Sequence, residues 1–567
     1  MSRKAKRAAE TKVKNRPIRK LLIVAILLGL VYMVLKLAPN YINDDITNMA
    51  NLVINNSNIT RDLKHEVIIE NGVIYLSQED IENFFDPYIY YGEQYNQIIT
   101  TSDNQIASIV IGENSITNNG TKVSISGAAF EKDGTIYIPF SNLDSVYNVE
   151  INYIDSSNTI TVDSRNRKYV LADSTKDNKV KAYPTTFSRT VDELTQGETF
   201  TVVQNDENQN EEIDGWTEIR TDTGKLGYIK SNTVTHEYVA REELVDKKQI
   251  EGTVSMVWDY YHSIFPDRTG THIDGINVVS PTFFTLVDEG RGAINDNAGE
   301  QGKSYVEWAH SNGYMVWPSI SNNSYIETTS EIMHDYNLRN TLIQNIVSLV
   351  LEYDLDGINI DFEYMHDEDK DLFSRFIIEL KPRLNEMGVV LSVDVTAPDG
   401  SDEWSLCYDR HVIGDVADYI VFMAYDQYGS SSTVPGTTAG YNWVEANIQK
   451  FLGQEEVEAD KIILGIPFYA WVWDTTNGVS TPRAIYMENL ESLIPEGTEK
   501  VWNEELKQYY VEFTNGNTTT QIWLEDEQSI EAKLSLIEKY GLAGAAYWAK
   551  DREPDSIWSM ISETLGV

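Results

Sequence analysis

Residues 356–365 read DGINIDFEYM, and their alternation is the chemically informative feature of this chain. Side chains of a strand repeat with period 2, so Ile358, Ile360 and Phe362 share one face. Gly357, Asn359, Asp361 and Glu363 share the other. Burying an amide and two carboxylates is costly unless they are paired or used. An otherwise apolar strand that turns an amide and two carboxylates to one face makes sense as a functional site, and poorly as a core.

Such a column needs a scaffold that points it into a cavity. From residue 250 onward, β-like runs alternate with helical ones: TVSMVW, GINVVSP, GYMVWPSIS, GINIDFE, VVLSVDVT, YIVFMAY, IILGIPFYA and LAGAAYW. Between them lie NLRNTLIQNIVSLVLEYDL, KDLFSRFIIELKPRLNEMG and SIEAKLSLIEKYG, with apolar residues at helical spacing. Eight strands separated by helices predict a (β/α)8 TIM barrel over 250–567, with catalysis at the strands' C-terminal ends. An open doubly wound sheet is the alternative, and the absence of a Gly-rich phosphate loop after the first strand weighs against a nucleotide-binding version of it. Residues 470–525, between the seventh and eighth strands, read as a hairpin-like insertion carrying Trp471, Trp473, Trp502 and Trp523.

Ahead of the barrel the period is that of strands. From 64 to 166, short alternating runs are joined by ENG and KDG turns, which are hairpin signals. NGVIYLSQEDIENFF and DGTIYIPFSNLDSVY share a turn, a strand and a short helix opened by Ser or Asn. Residues 175–237 form a further small β unit ending in GWTEIRTDTGKLGYIKSNTV, and the Asn-rich 39–63 reads as a stalk. The chain opens with a basic segment, 1–20, followed by the apolar run LLIVAILLGLVYMVLKLA, 21–38. That length approaches the ~20 residues that cross a bilayer, and the basic flank sets the N-terminus in the cytoplasm. The reading is an uncleaved transmembrane signal anchor of a bacterial surface protein, with everything after Pro39 outside the cytoplasm. A cleaved signal peptide is the competing reading, although LKLAPNYIN offers a poor cleavage site.

Composition adds exclusions. The 41% apolar content is that of a globular protein, while a formal net charge of −43 argues against a nucleic-acid partner. The lone Cys407 excludes an intrachain disulfide, and the scattered histidines have no metal-ligand spacing, so no metal or cofactor is expected.

DGINIDFE resembles the DGxDxDxE signature of glycoside hydrolase family 18, the chitinase-like fold. MAYD, 423–426, is similar to that family's sixth-strand motif, and AAYW, ending at Trp548, to its eighth-strand tryptophan. The resemblance implies hydrolysis of β-linked N-acetylhexosamines by substrate-assisted catalysis, an exception to the two-carboxylate scheme. It casts Glu363 as the acid that protonates the glycosidic oxygen and then activates water. Asp361 accepts a hydrogen bond from the sugar's acetamido N–H, and Tyr425 donates one to the acetamido carbonyl. Asp426 holds a sugar hydroxyl, Met423 walls the pocket, and Trp548 floors it. Asp356, of opposite parity, is expected to anchor the strand. The bland alternatives are a structural carboxylate for Glu363 and a plain core residue for Trp548.

Asn359 stands where the chitinase signature has its middle aspartate, and is expected to meet Asp361 by hydrogen bonding within the substrate-binding set. With WPSISN on the third strand in place of SxGG, this departure resembles the spore-cortex and cell-wall N-acetylglucosaminidase branch. The implied substrate is therefore an N-acetylglucosamine-containing glycan, peptidoglycan before chitin; a chitinase or chito-oligosaccharidase, or a silent sugar-binding lectin, are the alternatives. The two repeated units resemble the amino-terminal domain of copper amine oxidases, implying a spacer without copper. Residues 175–237 resemble a bacterial Src-homology-3-like domain, implying a spacer or a site for cell-wall peptide.

Overall fold

The computed structural model of the protein describes residues 49–567 apart from 205–211, 236, 242–249, 251, 262–264 and 399. The expected basic segment 1–20 and anchor 21–38 lie outside the described residues. Among the described residues no helix is long and apolar enough to cross a membrane. The chain divides into two compact units, Met1–Thr100 with Ala107–Asp246, and Thr101–Ile106 with Lys247–Val567.

In the first unit, the two repeated sequences pair with each other. Strand Val73–Ser77 runs antiparallel to Thr135–Ile138, with Tyr137 opposite Ser77. The turns before them have positive φ at both central residues, Asn71 and Gly72 (51° and 79°) and Asp133 and Gly134 (54° and 82°), the geometry that suits two-residue hairpins. Ser77 Oγ caps the helix Gln78–Phe84 by accepting from Asp80 N at 3.0 Å. Its counterpart, after Pro139, is only the 3-10 turn Phe140–Asn142. Residues 51–58, expected within the stalk, are instead strands Asn51–Ile54 and Ser57–Asn58. Asn51–Ile54 pairs in parallel with Thr159–Ser164, a partner over a hundred residues away that no local pattern reveals.

The last strands of this unit, from Tyr169–Asp173 to Tyr238–Arg241, form one sheet. Trp216 is buried there under Lys230, whose amine lies 4.0 Å from the ring. A Cβ on Gly227 would fall 2.6 Å from the Lys181 carbonyl oxygen, so this close approach of strands requires glycine.

The second unit holds the barrel. Its strands are β1 (Val254–Asp259), β2 (Val278–Pro281), β3 (Met315–Val316 and Ser319–Ser321), β4 (Gly357–Asp361), β5 (Val390–Val395), β6 (Tyr419–Met423), β7 (Ile462–Pro467) and β8 (Gly544–Trp548). All pair in parallel, and β8 joins both β7 and β1, with Gly544 opposite Ile463 and Val254. β3 is split at Trp317-Pro318, where proline offers no N–H. Its first piece pairs with β2 and its second with β4, which completes the ring.

The three helices read from the sequence are α1 (Tyr336–Tyr353), α2 (Lys370–Met387) and α3 (Glu527–Tyr540). Asp335 caps α1 by accepting from Asn337 N and Leu338 N, and Asp526 with Ser529 forms a capping box on α3. Between β7 and β8, five strands make an antiparallel sheet, Tyr469–Thr476 through Thr518–Trp523.

The alternation read in β4 sorts two cores. Ile358, Ile360 and Phe362 pack outward, Phe362 stacking 5.8 Å from Phe376 of α2. The interior is filled by Val254, Met256, Trp258, Trp317, Tyr419, Val421 and Ala546. Gly357 admits the buried Trp317 ring, since a Cβ there would lie 2.3 Å from Trp317 Cδ1. Overpacking of this kind costs about 1–3 kcal/mol. Gly357→Ala is expected to lower the urea midpoint accordingly, with the unfolding slope unchanged; a wild-type midpoint would mean that Trp317 repacks freely.

Candidate active site

The polar column of β4 ends at the barrel mouth, and its last member is clasped from both sides. Asn322, fully buried just past β3, accepts from Glu363 N at 3.0 Å and donates to Glu363 O at 2.9 Å. Tyr408 Oη donates to Phe362 O at 2.7 Å. The backbone at Glu363 is thereby held, and none of these bonds uses its carboxyl.

The carboxyls of Asp361 and Glu363 hydrogen-bond each other. Burial pushes the Asp361 pKa up to about 6, against which the Glu363 hydrogen bond works. Burial raises Glu363 well above the usual carboxyl range, and the Asp361 charge raises it further. Asp361 therefore ionises first and Glu363 keeps its proton, which is the division of labour an acid and its stabilising partner need.

Asn359 occupies a different place from the one expected. It is fully buried, with Oδ1 accepting from Trp258 Nε1 at 3.1 Å and Nδ2 donating to Ser392 Oγ at 3.0 Å and Asp394 Oδ1 at 2.7 Å. It has no exposed surface for a ligand and makes none of these bonds to Asp361, so its place in the substrate-binding set is corrected to a buried positioning residue. Its partner Asp394, in VVLSVDVT on β5, was not singled out from the sequence. The available signal was the same one that marked β4: Ser392 and Asp394 share a parity within an apolar strand. Asn322 carried no such signal.

The Asp394 carboxyl is raised, first by burial and then by the Asp361 charge. The folded state thus favours its protonated form. That contribution is fully present below the unfolded value of about 4 and is lost as pH rises through the higher folded value, leaving a cost at neutral pH. Asn at this position keeps an acceptor for Asn359 without the charge. Asp394→Asn is expected to raise the thermal midpoint at neutral pH, with the gain vanishing near about pH 4; a lower midpoint at neutral pH would refute the sign.

Tyr425 faces the same group: burial, then the Asp394 charge, raises its pKa. Among the described residues its hydroxyl has no hydrogen-bond partner. Asp426, at φ 57°, accepts from Tyr469 Oη and from Trp471 Nε1 at 2.8 Å. Burial raises its pKa while these two donors lower it. Met423 is buried at the end of β6. The Trp548 ring lies 5.7 Å from Trp258 and 5.5 Å from Tyr260, the first edge-on.

Asp361, Trp548 and Tyr260 line a cleft of about 470 Å³ bounded also by Ser319 and Ser321 of β3. Asp356 sits away from it, accepting from Val316 N at 2.9 Å and contacting His310 Nε2 at 2.9 Å, which ties β4 to β3. Of the insertion's tryptophans, Trp471 joins the Asp426 cluster, whereas Trp473 is fully buried and donates to Gly436 O at 2.8 Å. Among the described residues no group of His, Cys, Asp and Glu could hold a metal ion.

A putative sporulation-specific glycosylase, YdhD, of Bacillus subtilis (strain 168) is 29% identical over 226 residues, 39% of this chain and 53% of its own length. An uncharacterized glycosylase, YvbX, of the same organism is 29% identical over 274 residues, 46% of this chain and 78% of its own length. Its cortical fragment-lytic enzyme is 23% identical over 273 residues, 47% of this chain and 63% of its own length. Among solved structures, a chitinase from Chromobacterium violaceum aligns with TM-score 0.49 and 22% identity, over 56% of this chain and 100% of that one. Residues 49–162 match the model of the copper amine oxidase N-terminal domain. Residues 256–553, more than half of the chain and the whole of the carboxylate column with Tyr425, Asp426 and Trp548, match that of glycosyl hydrolases family 18, and the chain belongs to this family of glycosidases.

Proposed function

We propose that the protein is a membrane-anchored, extracytoplasmic N-acetylglucosaminidase that cuts peptidoglycan with retention of anomeric configuration. The observation that carries this is the pair of buried carboxyls Asp361 and Glu363 at the end of β4, both with raised pKa and Asp361 on the cleft wall beside Trp548. Glu363 donates its proton to the glycosidic oxygen. The acetamido oxygen of the sugar attacks the anomeric carbon, its carbonyl oriented by Tyr425 and its N–H held by ionised Asp361, whose charge offsets that developing on the ring. Glu363, now the conjugate base, activates the water that opens the intermediate. Asp426 takes a sugar hydroxyl, and Trp548 offers its ring face to the pyranose.

The names of cortical fragment-lytic and sporulation-specific relatives favour wall glycan over chitin, as does Asn359 in place of the chitinase aspartate. The apolar run 21–38 with its basic flank supports anchoring. The sheet from Tyr169 to Arg241 serves as a spacer or, in the Src-homology-3-like reading, a site for cell-wall peptide. The test is to incubate the full chain with peptidoglycan and with chitin oligomers, mapping products by mass and the first-formed anomer by NMR. New N-acetylglucosamine reducing ends of retained configuration from peptidoglycan are expected. Cleavage of chitin alone would sink the wall-hydrolase reading.

A further inference from the structure

Arg552, four residues past β8, is a cation without a charged partner among the described residues, in a strongly acidic chain. Its guanidinium carbon lies 5.2 Å from the ring centre of Tyr486, 5.3 Å from Trp548, 5.6 Å from Tyr260 and 6.0 Å from Tyr469. Among the described residues its guanidinium makes no hydrogen bond and no ion pair. The nearby carboxylates are committed elsewhere: Asp551 pairs with Arg268 at 2.9 Å and with Lys550 at 3.0 Å, and Glu553 pairs with Lys550 at 2.7 Å. The Arg552 backbone is fixed on both sides, its N–H donating to Ala549 O at 3.2 Å and its carbonyl accepting from Glu488 N at 3.1 Å.

Three of the four rings already belong to the catalytic mouth. Tyr260 and Trp548 line the cleft with Asp361, and Tyr469 donates to Asp426. Tyr260 and Tyr486 are 43% and 46% exposed, so the cage opens to solvent. Aromatic faces hold a guanidinium plane and lower the local dielectric without using any of its five N–H donors. A planar fork kept in this way is suited to bidentate recognition of a carboxylate. Chitin has no carboxylate. A peptidoglycan strand does, either on the lactyl ether of a muramic acid stripped of its peptide or on the stem peptide where that is retained.

We infer that Arg552 with its four-ring cage is a carboxylate-binding site that selects anionic, muramic-acid-containing glycan strands, a conclusion that rests on the wall-hydrolase reading. The experiment measures calorimetric affinities of the full chain carrying Glu363→Gln, which separates binding from turnover. The probes are peptide-free muramyl strands, the same strands with lactyl carboxyls amidated, strands keeping their stem peptides, and chitin oligomers.

Carboxylated strands are expected to bind about tenfold more tightly than amidated ones, and Arg552→Gln to abolish that preference. Arg552→Lys, which keeps the charge and loses the fork, is expected to retain part of it. An Arg552-dependent preference for peptide-bearing strands alone would place the recognised carboxylate on the stem peptide. Equal affinity of the parent for carboxylated and amidated strands would overturn the inference. So would an Arg552→Gln variant that weakens all probes by one common factor, since Arg552 would then only prop the rings. Failure of the wall-hydrolase reading shows separately, as a wild-type chain that turns over chitin alone.

Discussion

Replacing Glu363 by Gln is expected to lower hydrolysis by between about a hundredfold and ten-thousandfold, the range contributed by a positioned general acid. The substitution is nearly isosteric, and the Asn322 clasp is to the backbone, so the strand end keeps its place. The amide can still donate a hydrogen bond towards Asp361 and cannot give up a proton to a leaving oxygen. The defect should therefore depend on the leaving group. An aryl glycoside, whose phenolate departs without protonation, is expected to lose far less in the first step than a glycan does, with the loss reappearing in hydrolysis of the intermediate. Steady-state rates on both substrates, with binding checked by calorimetry, decide it. A variant that hydrolyses both at the parental rate would remove Glu363 from the mechanism.

Asp361→Asn is expected to cost about a hundredfold to a thousandfold, the loss found when one preorganised electrostatic group is removed from such a site. Its signature lies in the pH–rate profile. In the parent, the rate rises as Asp361 ionises at about 6 and falls where Glu363 loses its proton. Asn removes the acid limb outright. It also withdraws the Asp361 charge that holds the Glu363 proton in place, so the alkaline limb moves to lower pH. The plateau should drop, and the whole active range should slide towards acid. An acid limb that survives the substitution would assign it to another group, of which Asp394 is the nearest candidate.

That second carboxylate alters the meaning of Asn359. The residue that distinguishes this chain from the chitinase signature does not relieve Asp361 by bonding to it. Its amide nitrogen bonds Asp394 across the strand pair, and its carbonyl takes the indole of Trp258, whose ring meets Trp548 edge-on. The middle of the column is thus a buried polar link from β5 through β4 to β1 and on to Trp548 in the cleft wall. One route from Asn359 to Asp361 runs through Asp394, which it bonds and whose carboxyl feels the Asp361 charge.

What the sequence determined by itself is whatever repeats over a few residues. Period 2 in β4 separated Ile358, Ile360 and Phe362 from the polar column, because pleating makes neighbours point oppositely whatever lies beyond the strand. The turns at Asn71-Gly72 and Asp133-Gly134 were legible for the same reason: each is decided by bonds within a few positions. Only the tertiary structure could decide which polar groups meet. Asn322 and Glu363 are joined across β3 and β4, Asn359 and Asp394 across β4 and β5. Asn51–Ile54 finds its partner at Thr159–Ser164, and Arg552 gathers rings from β8, from the segment after β1 and from the insertion. A closed barrel brings strands together that are scores to hundreds of residues apart, and closure is a property of the whole ring rather than of any stretch within it.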